Sequence, residues 1–304
     1  MPHSCRRSVR HLRRTLLIGI LLLPACRAPR AEPSERRPTQ APLPATLSPL
    51  PPEVTINKGA RPAGYVLVRV RLGGGPEFEC VIDTGSPSSL LPKSAEPLLG
   101  KCLASGTFST LDSTKEPTRI YAAPKLYLGD ALLPTDKYIG TWDNSRGVIG
   151  MDCLHHYCIQ LDFEAGKLRF LDPEKTVAPD LGKAYPLICD HYAFVQHTGL
   201  FETGAARTML DTGCWCDGCV NSRTFHREFK RRGARPVPVV QDGTPIAYAH
   251  PFATFPEIVW DGGTYKDLLV SEGKDLIGLG FLARHKVTLN FPKRVMYLKR
   301  THFH

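Results

Sequence analysis

The chain has 304 residues, 42% of them apolar, enough to bury a core in one large or two small domains. Its formal charge is +10, but nine arginines against Glu32 and Glu35 place about +7 of this in residues 1–52. The remainder carries 30 Lys and Arg against 27 Asp and Glu, a near-neutral body that speaks against nucleic-acid binding.

The N-terminal residues read as an address rather than a fold. Arg6, Arg7, Arg10, Arg13 and Arg14 precede the apolar run 16–23, which is too short to span a bilayer. Leu23-Pro24-Ala25-Cys26 resembles a lipobox, so residues 1–26 are expected to be a bacterial export signal with lipid attachment at Cys26. Pro24 departs from the small residue usual there, which leaves plain cleavage or an uncleaved anchor open. Residues 27–61 are Pro-rich at their start and read as an extended tether. An exported protein of the bacterial cell envelope is the expectation, held to the membrane by its N-terminus.

Gly 26 and Pro 27, with runs of Val, Ile, Tyr and Phe, predict a strand-rich body. A first strand is expected over 65–72, followed by a turn at Gly73-Gly74-Gly75. Val81-Ile82 then leads into Asp83-Thr84-Gly85-Ser86. A polar stretch at 110–121 is a candidate hairpin. Val148-Ile149-Gly150 opens a short helix over 151–157, and a closing hairpin pairs 158–163 with 167–171 about Glu164-Ala165-Gly166.

The same grammar then recurs. Leu210-Asp211-Thr212-Gly213 lies 128 residues after the first triplet, Leu276-Ile277-Gly278 lies 128 after Val148-Ile149-Gly150, and Leu289-Asn290-Phe291 lies 128 after Leu161-Asp162-Phe163. Anchors in one gapless register indicate a unit present twice, over 62–175 and 176–304. The second copy is expected to hold a strand at 193–197, a turn at Thr203-Gly204 and a hairpin at 238–248 turned by Asp242-Gly243. A helix over 279–285 and a hairpin of 286–291 with 295–299 should close it.

An aspartate at the tip of a buried strand can project into a cleft if the chain turns afterwards. Gly85 and Gly213 are expected to permit that turn and a close approach. Thr84 and Thr212 can hydrogen-bond across a pseudo-twofold axis. Ser86 can donate to the outer oxygen of Asp83. Ile149-Gly150 and Ile277-Gly278 can pack behind the two loops. Two carboxyls in hydrogen-bond reach share a proton, so that one serves as base toward a water and the other as acid toward a carbonyl oxygen.

With the doubled Asp-Thr-Gly and the later apolar-apolar-Gly in matched register, residues 62–300 resemble the aspartic proteases, as duplicated retropepsin-like units in one chain. The resemblance implies an all-β, bilobal fold with pseudo-twofold symmetry and short helices. It implies an aspartic-type endopeptidase acting on extended peptides, with Asp83 and Asp211 as the dyad, no metal and no other cofactor. A monomer is expected, with the hairpins at 110–121 and 238–248 as flap candidates. Cys214 stands where the family favours Ser or Thr. A thiol is a weak donor, so Asp211 should be the protonated partner.

Other readings compete. A catalytically inactive relative would keep the fold and bind peptides or a partner. The eight cysteines beyond Cys26 (Cys80, Cys102, Cys153, Cys158, Cys189, Cys214, Cys216 and Cys219) favour disulfides in an exported chain. Zinc at Cys214, Cys216 and Cys219 with Cys189 is the lesser reading, because closed zinc sites show two separated pairs. Cys219 with His226 is a remaining nucleophile pair. The basic run at Arg227, 230–232 and Arg235 reads as a solvated loop able to meet acidic lipid. No His-Glu-x-x-His and no Gly-x-Ser-x-Gly occurs.

Overall fold

Alternating apolar side chains build the first long strand. In Leu67–Leu72, Val68, Val70 and Leu72 are buried while Arg69 faces solvent, the period expected of a strand with one face on a core. Strands in the middle of the molecule lose that alternation: all five residues of Cys158–Asp162 are buried. The computed structural model describes residues 49–56, 64–109, 115–176, 179–196, 198–201, 207–241, 244–246 and 250–301. All of them belong to the unit spanning 44–304. The export signal, the lipobox, all of the tether except 49–56, the 110–114 tip and the turns at Thr203-Gly204 and Asp242-Gly243 lie outside the described residues.

The protein is mostly β, with two large mixed sheets and few helices. The nine-stranded sheet runs in the order Ala104–Ser109, Lys115–Ala122, Tyr138–Trp142, Leu90–Pro92, Gly147–Ile149, Glu77–Ile82, Leu67–Leu72, Leu126–Leu128, Ala131–Leu133. The thirteen-stranded sheet places Cys158–Asp162 beside His285–Asn290 near one end. Farther across it, Arg207–Asp211, Leu276–Gly278 and Gly218–Val220 lie side by side. A small antiparallel pair, Val239–Gln241 with Thr244–Ile246, stands apart.

The 128-residue spacing reappears in the pairing. Glu77–Ile82 runs parallel to Gly147–Ile149, with Val81 opposite Val148 and Ile82 opposite Ile149. Arg207–Asp211 runs parallel to Leu276–Gly278, with Met209 opposite Leu276 and Leu210 opposite Ile277. Each parallel pair leads into a four-residue helix, Met151–Leu154 or Leu279–Leu282. Cys158–Asp162 and His285–Asn290 pair antiparallel, and Gln160 donates to the Thr288 hydroxyl at 3.1 Å. One continuous apolar cluster runs from Val68 and Ile82 through Leu161 to Leu210, Ile277 and Leu289.

Two expectations fail. The eight cysteines are free thiols rather than disulfides. Cys80, Cys153 and Cys158 are buried on separate elements and pack as small apolar side chains. Arg227 and 230–232 of the basic run lie not in a loop but in the helix Ser222–Arg232, and Arg235 opens the strand Arg235–Val237. Asn221 caps the helix, accepting from Thr224 N–H at 3.1 Å, and Gly233 closes it at φ 60°. Arg227, Arg231 and Arg232 all pair with the buried carboxylate of Glu228, at 2.9, 2.7 and 2.8 Å.

Candidate active site

Asp83 follows directly on the strand Glu77–Ile82, and Asp211 ends the strand Arg207–Asp211. Both strands are held from one side by the parallel partner that carries Ile149 or Ile277. Asp83 N–H donates to the Ile149 carbonyl at 3.0 Å, and Asp211 is paired with Gly278. The two tips are then tied to one another. Thr84 N–H donates to the Thr212 hydroxyl at 3.0 Å, and Thr212 N–H donates to the Thr84 hydroxyl at 3.1 Å. The hydroxyls in turn donate onward, Thr84 to the Leu210 carbonyl at 2.8 Å and Thr212 to the Ile82 carbonyl at 2.7 Å. Both threonines are wholly buried, so each hydroxyl satisfies one N–H and one C=O that water cannot reach.

This lock brings the carboxyls together. Each aspartate accepts from the N–H two residues on, Gly85 to Asp83 at 2.8 Å and Gly213 to Asp211 at 2.9 Å. The two carboxyls thereby lie close together across these glycines. Gly85 and Gly213 are needed for closeness rather than for turning: neither has positive φ. A Cβ on Gly85 would come within 2.4 Å of the Asp211 carboxyl carbon, and one on Gly213 within 2.5 Å of that of Asp83. Gly150 and Gly278 back the two loops. A Cβ on Gly150 would strike the Ser88 carbonyl at 2.6 Å, and one on Gly278 the Cys216 carbonyl at 2.3 Å. The helices behind them donate N–H groups into the loops, Met151 to Ser86 at 2.9 Å and Leu279 to Cys214 at 2.7 Å.

The electrostatics separate the two acids. Burial pushes Asp83 up, opposed by the Gly85 N–H and the hydrogen bond from Asp211. Burial pushes Asp211 well above the carboxylate range, and the charge and hydrogen bond of Asp83 push it the same way. Asp211 is buried and Asp83 half-buried, so burial weighs more heavily against a charge on Asp211. Ser86 does not act as expected. Its hydroxyl donates to the Ser88 carbonyl at 2.8 Å instead of to Asp83, and its contribution to the carboxylate is its backbone N–H. The asymmetry of the pair therefore does not arise from a Ser86 hydroxyl.

The dyad opens on a cleft of about 1130 Å3. Phe108 on the hairpin Ala104–Ser109/Lys115–Ala122, with Trp142, lines one side, and Trp215 and Phe252 line another. Phe108 meets Trp142 edge-on at 5.7 Å, and Trp215 stacks on Phe252 at 5.4 Å. Aromatic walls with a few polar groups are usual for a ligand cleft.

Several residues that hold the site were not singled out from sequence. Ser89 donates to the buried Asp152 at 2.7 Å and accepts from Gly150 N–H at 3.1 Å, bracing the first loop. The second loop is braced by Asp217, which accepts from Arg284 at 3.0 Å and from Leu269 N–H at 2.7 Å. The pair is almost fully buried, each side chain 4% exposed. The 214–219 loop also gathers the sulfurs of Cys214, Cys216 and Cys219 within 4.8 Å of one another. Hydrogen bonds from Cys214 and Cys219 hold Cys216 well below the usual thiol range. Cys189 is not among the three, so it is not their fourth ligand. His226, considered as a partner for Cys219, pairs with Glu272 at 3.3 Å. No family model matches the chain, and no curated protein matches it.

Proposed function

We propose that the chain is an aspartic-type endopeptidase built from two retropepsin-like units, residues 62–175 and 176–304, related by a pseudo-twofold axis between Thr84 and Thr212. The observation that carries this reading is the close approach of the Asp83 and Asp211 carboxyls at the edge of a cleft. The matched register of the flanking parallel strands and the reciprocal threonine bonds support the duplication.

In this reading Asp83 takes a proton from a water held between the carboxyls while that water attacks the peptide carbonyl carbon. Asp211 gives its proton to the carbonyl oxygen. The resulting diol collapses: Asp211 recovers a proton from one hydroxyl, Asp83 passes its proton to the amide nitrogen, and the C–N bond breaks. Sharing of one proton by such a pair is the established illustration of two carboxyls too close to ionise together. The hairpin Ala104–Ser109/Lys115–Ala122 would cover an extended peptide lying in the cleft. Export to the bacterial envelope, with residues 27–61 as a tether, belongs to the same proposal and rests on the N-terminal sequence.

The test is direct. Asp83→Asn and Asp211→Asn, made singly in the full chain and incubated with a peptide library from acidic to neutral pH, should each abolish cleavage by at least about 10³-fold without lowering the melting temperature. Cleavage at the wild-type rate in either variant rejects the mechanism. A wild-type chain that binds a statine-type peptide but cleaves nothing would instead identify a binding protein.

A further inference from the structure

The three sulfurs of the 214–219 loop take no part in the dyad chemistry, yet they are arranged as a ligand set. Cys214, Cys216 and Cys219 are all buried, at 4%, 3% and 7% exposure, and all three also border the cleft. Cys214 Sγ and Cys216 Sγ lie 3.2 Å apart, and the three sulfurs are within 4.8 Å of one another. Zinc–thiolate bonds of about 2.3 Å in a tetrahedron require sulfur–sulfur separations of about 3.8 Å. The observed spread brackets that value, so changes of about 1 Å or less in the separations would seat an ion.

The loop is also held in place before any ligand arrives. The carbonyls of Cys214, Cys216 and Asp217 accept from Leu279, Gly280 and Gly278 N–H groups at 2.7, 3.0 and 3.0 Å. The Asp217 side chain is pinned by Arg284 and by Leu269 N–H. Gly278 and Gly280 have no room for a Cβ, since each would meet the Cys216 carbonyl at 2.3 and 3.0 Å. Cysteines buried only as small apolar side chains have no need to converge from six consecutive residues, a loop running into the strand Gly218–Val220. Among the described residues no fourth side chain of ligating type joins the group. Three protein sulfurs with one position left over is the pattern of an open site, and the cleft gives an ion a way in.

We infer that Cys214, Cys216 and Cys219 form a three-thiolate site for a zinc-type d10 cation in the wall of the cleft, its fourth position open to solvent or to a cleft ligand. Binding displaces the remaining thiol protons to solvent, with no change of oxidation state. The site adjoins the dyad, with Cys214 N–H donating to the Asp211 carbonyl at 3.2 Å, but its test needs no peptide cleavage, so either reading can fail without the other.

The full chain, reduced and stripped of metal, is titrated with Co2+ and then with Zn2+. One equivalent of Co2+ should raise thiolate-to-cobalt charge-transfer absorption, and one equivalent of Zn2+ should bleach it. Cys216→Ser should weaken Zn2+ binding by at least about 100-fold, while Cys102→Ser leaves it unchanged. Alkylation of the wild-type chain followed by mass spectrometry covers the case in which Cys216→Ser does not fold. Zn2+ should protect Cys214, Cys216 and Cys219 and leave Cys102 labelled. A cobalt spectrum without charge transfer, binding indifferent to Cys216→Ser, unprotected loop thiols, or a disulfide within the loop of the isolated protein would each overturn the inference.

Discussion

At the scale of single residues, the positioning of the two acids rests on the Thr84 and Thr212 hydroxyls and on the missing Cβ of Gly85 and Gly213. Thr84→Val keeps the shape of the side chain but removes the donor to Leu210 C=O and the acceptor for Thr212 N–H. Two buried backbone groups are left unpaired, at about 1–3 kcal/mol each. Chemical denaturation should show a loss of about 2–5 kcal/mol, and Thr84→Ser should recover most of it. An unchanged denaturation midpoint in Thr84→Val would mean that the lock is not structural. Gly213→Ala places a methyl carbon about where the Asp83 carboxyl carbon stands, at a separation of 2.5 Å. The carboxyls must then part, so cleavage should disappear while stability falls by only about 1–3 kcal/mol. Full activity in Gly213→Ala would show that the carboxyls do not need this closeness.

At the scale of elements, the helix Ser222–Arg232 offers a pH test. Burial alone would raise the Glu228 carboxyl, but hydrogen bonds from Arg232, Arg227 and Arg231 outweigh it and hold the group below its ordinary value. A carboxyl depressed in the folded state contributes stability above its unfolded pKa of about 4.3 and loses it as pH falls through the folded value. Glu228→Gln should therefore be less stable than wild type by about 1–2 kcal/mol near neutrality, with the gap closing in acid. Urea midpoints across pH measure this. A gap that persists below the carboxylate range would assign the effect to packing instead.

This helix also marks where reading the sequence stopped short. Arg227, Lys230, Arg231, Arg232 and Arg235 look like a solvated charge run because few apolar residues accompany them. The signals present were Asn221 before the first turn and Gly233 after the last, with Phe225 and Phe229 spaced four apart. The long hairpin Phe252–Trp260/Gly263–Glu272 was likewise passed over, although Asp261-Gly262 marks its turn, with φ of 50° and 76°. The two Asp-Thr-Gly loops stand out in the sequence because Asp83-Thr84-Gly85 and Asp211-Thr212-Gly213 are each three adjacent residues. The braces were not: Asp217 and Arg284 are 67 positions apart, and no local pattern joins them. A hydroxyl rotor is equally silent, which is why Ser86 was expected to face Asp83 and instead faces Ser88. Cysteine parity suggested disulfides, but parity says nothing of where sulfurs come to lie; spacing grouped Cys214, Cys216 and Cys219, and the fold leaves Cys189 out of the group.

At the scale of the whole molecule, residues 62–175 and 176–304 do not make two independent bodies. Cys158–Asp162 pairs with His285–Asn290, and a single apolar cluster holds residues from both ranges. Unfolding should therefore be one transition. Trp142 lies in the nine-stranded sheet and Trp260 in the thirteen-stranded one, so their fluorescence samples both. Tryptophan emission and far-ultraviolet circular dichroism should lose signal at the same temperature, whereas two separated transitions would mean that the copies fold alone.

The most direct test of the dyad is a crystal structure of the chain with a statine-type peptide in the cleft. The account predicts the inhibitor hydroxyl between the two acids, about 2.6–3.2 Å from a carboxyl oxygen of Asp83 and from one of Asp211. A hydroxyl bound elsewhere, or carboxyls that have no ligand atom in common, would contradict it.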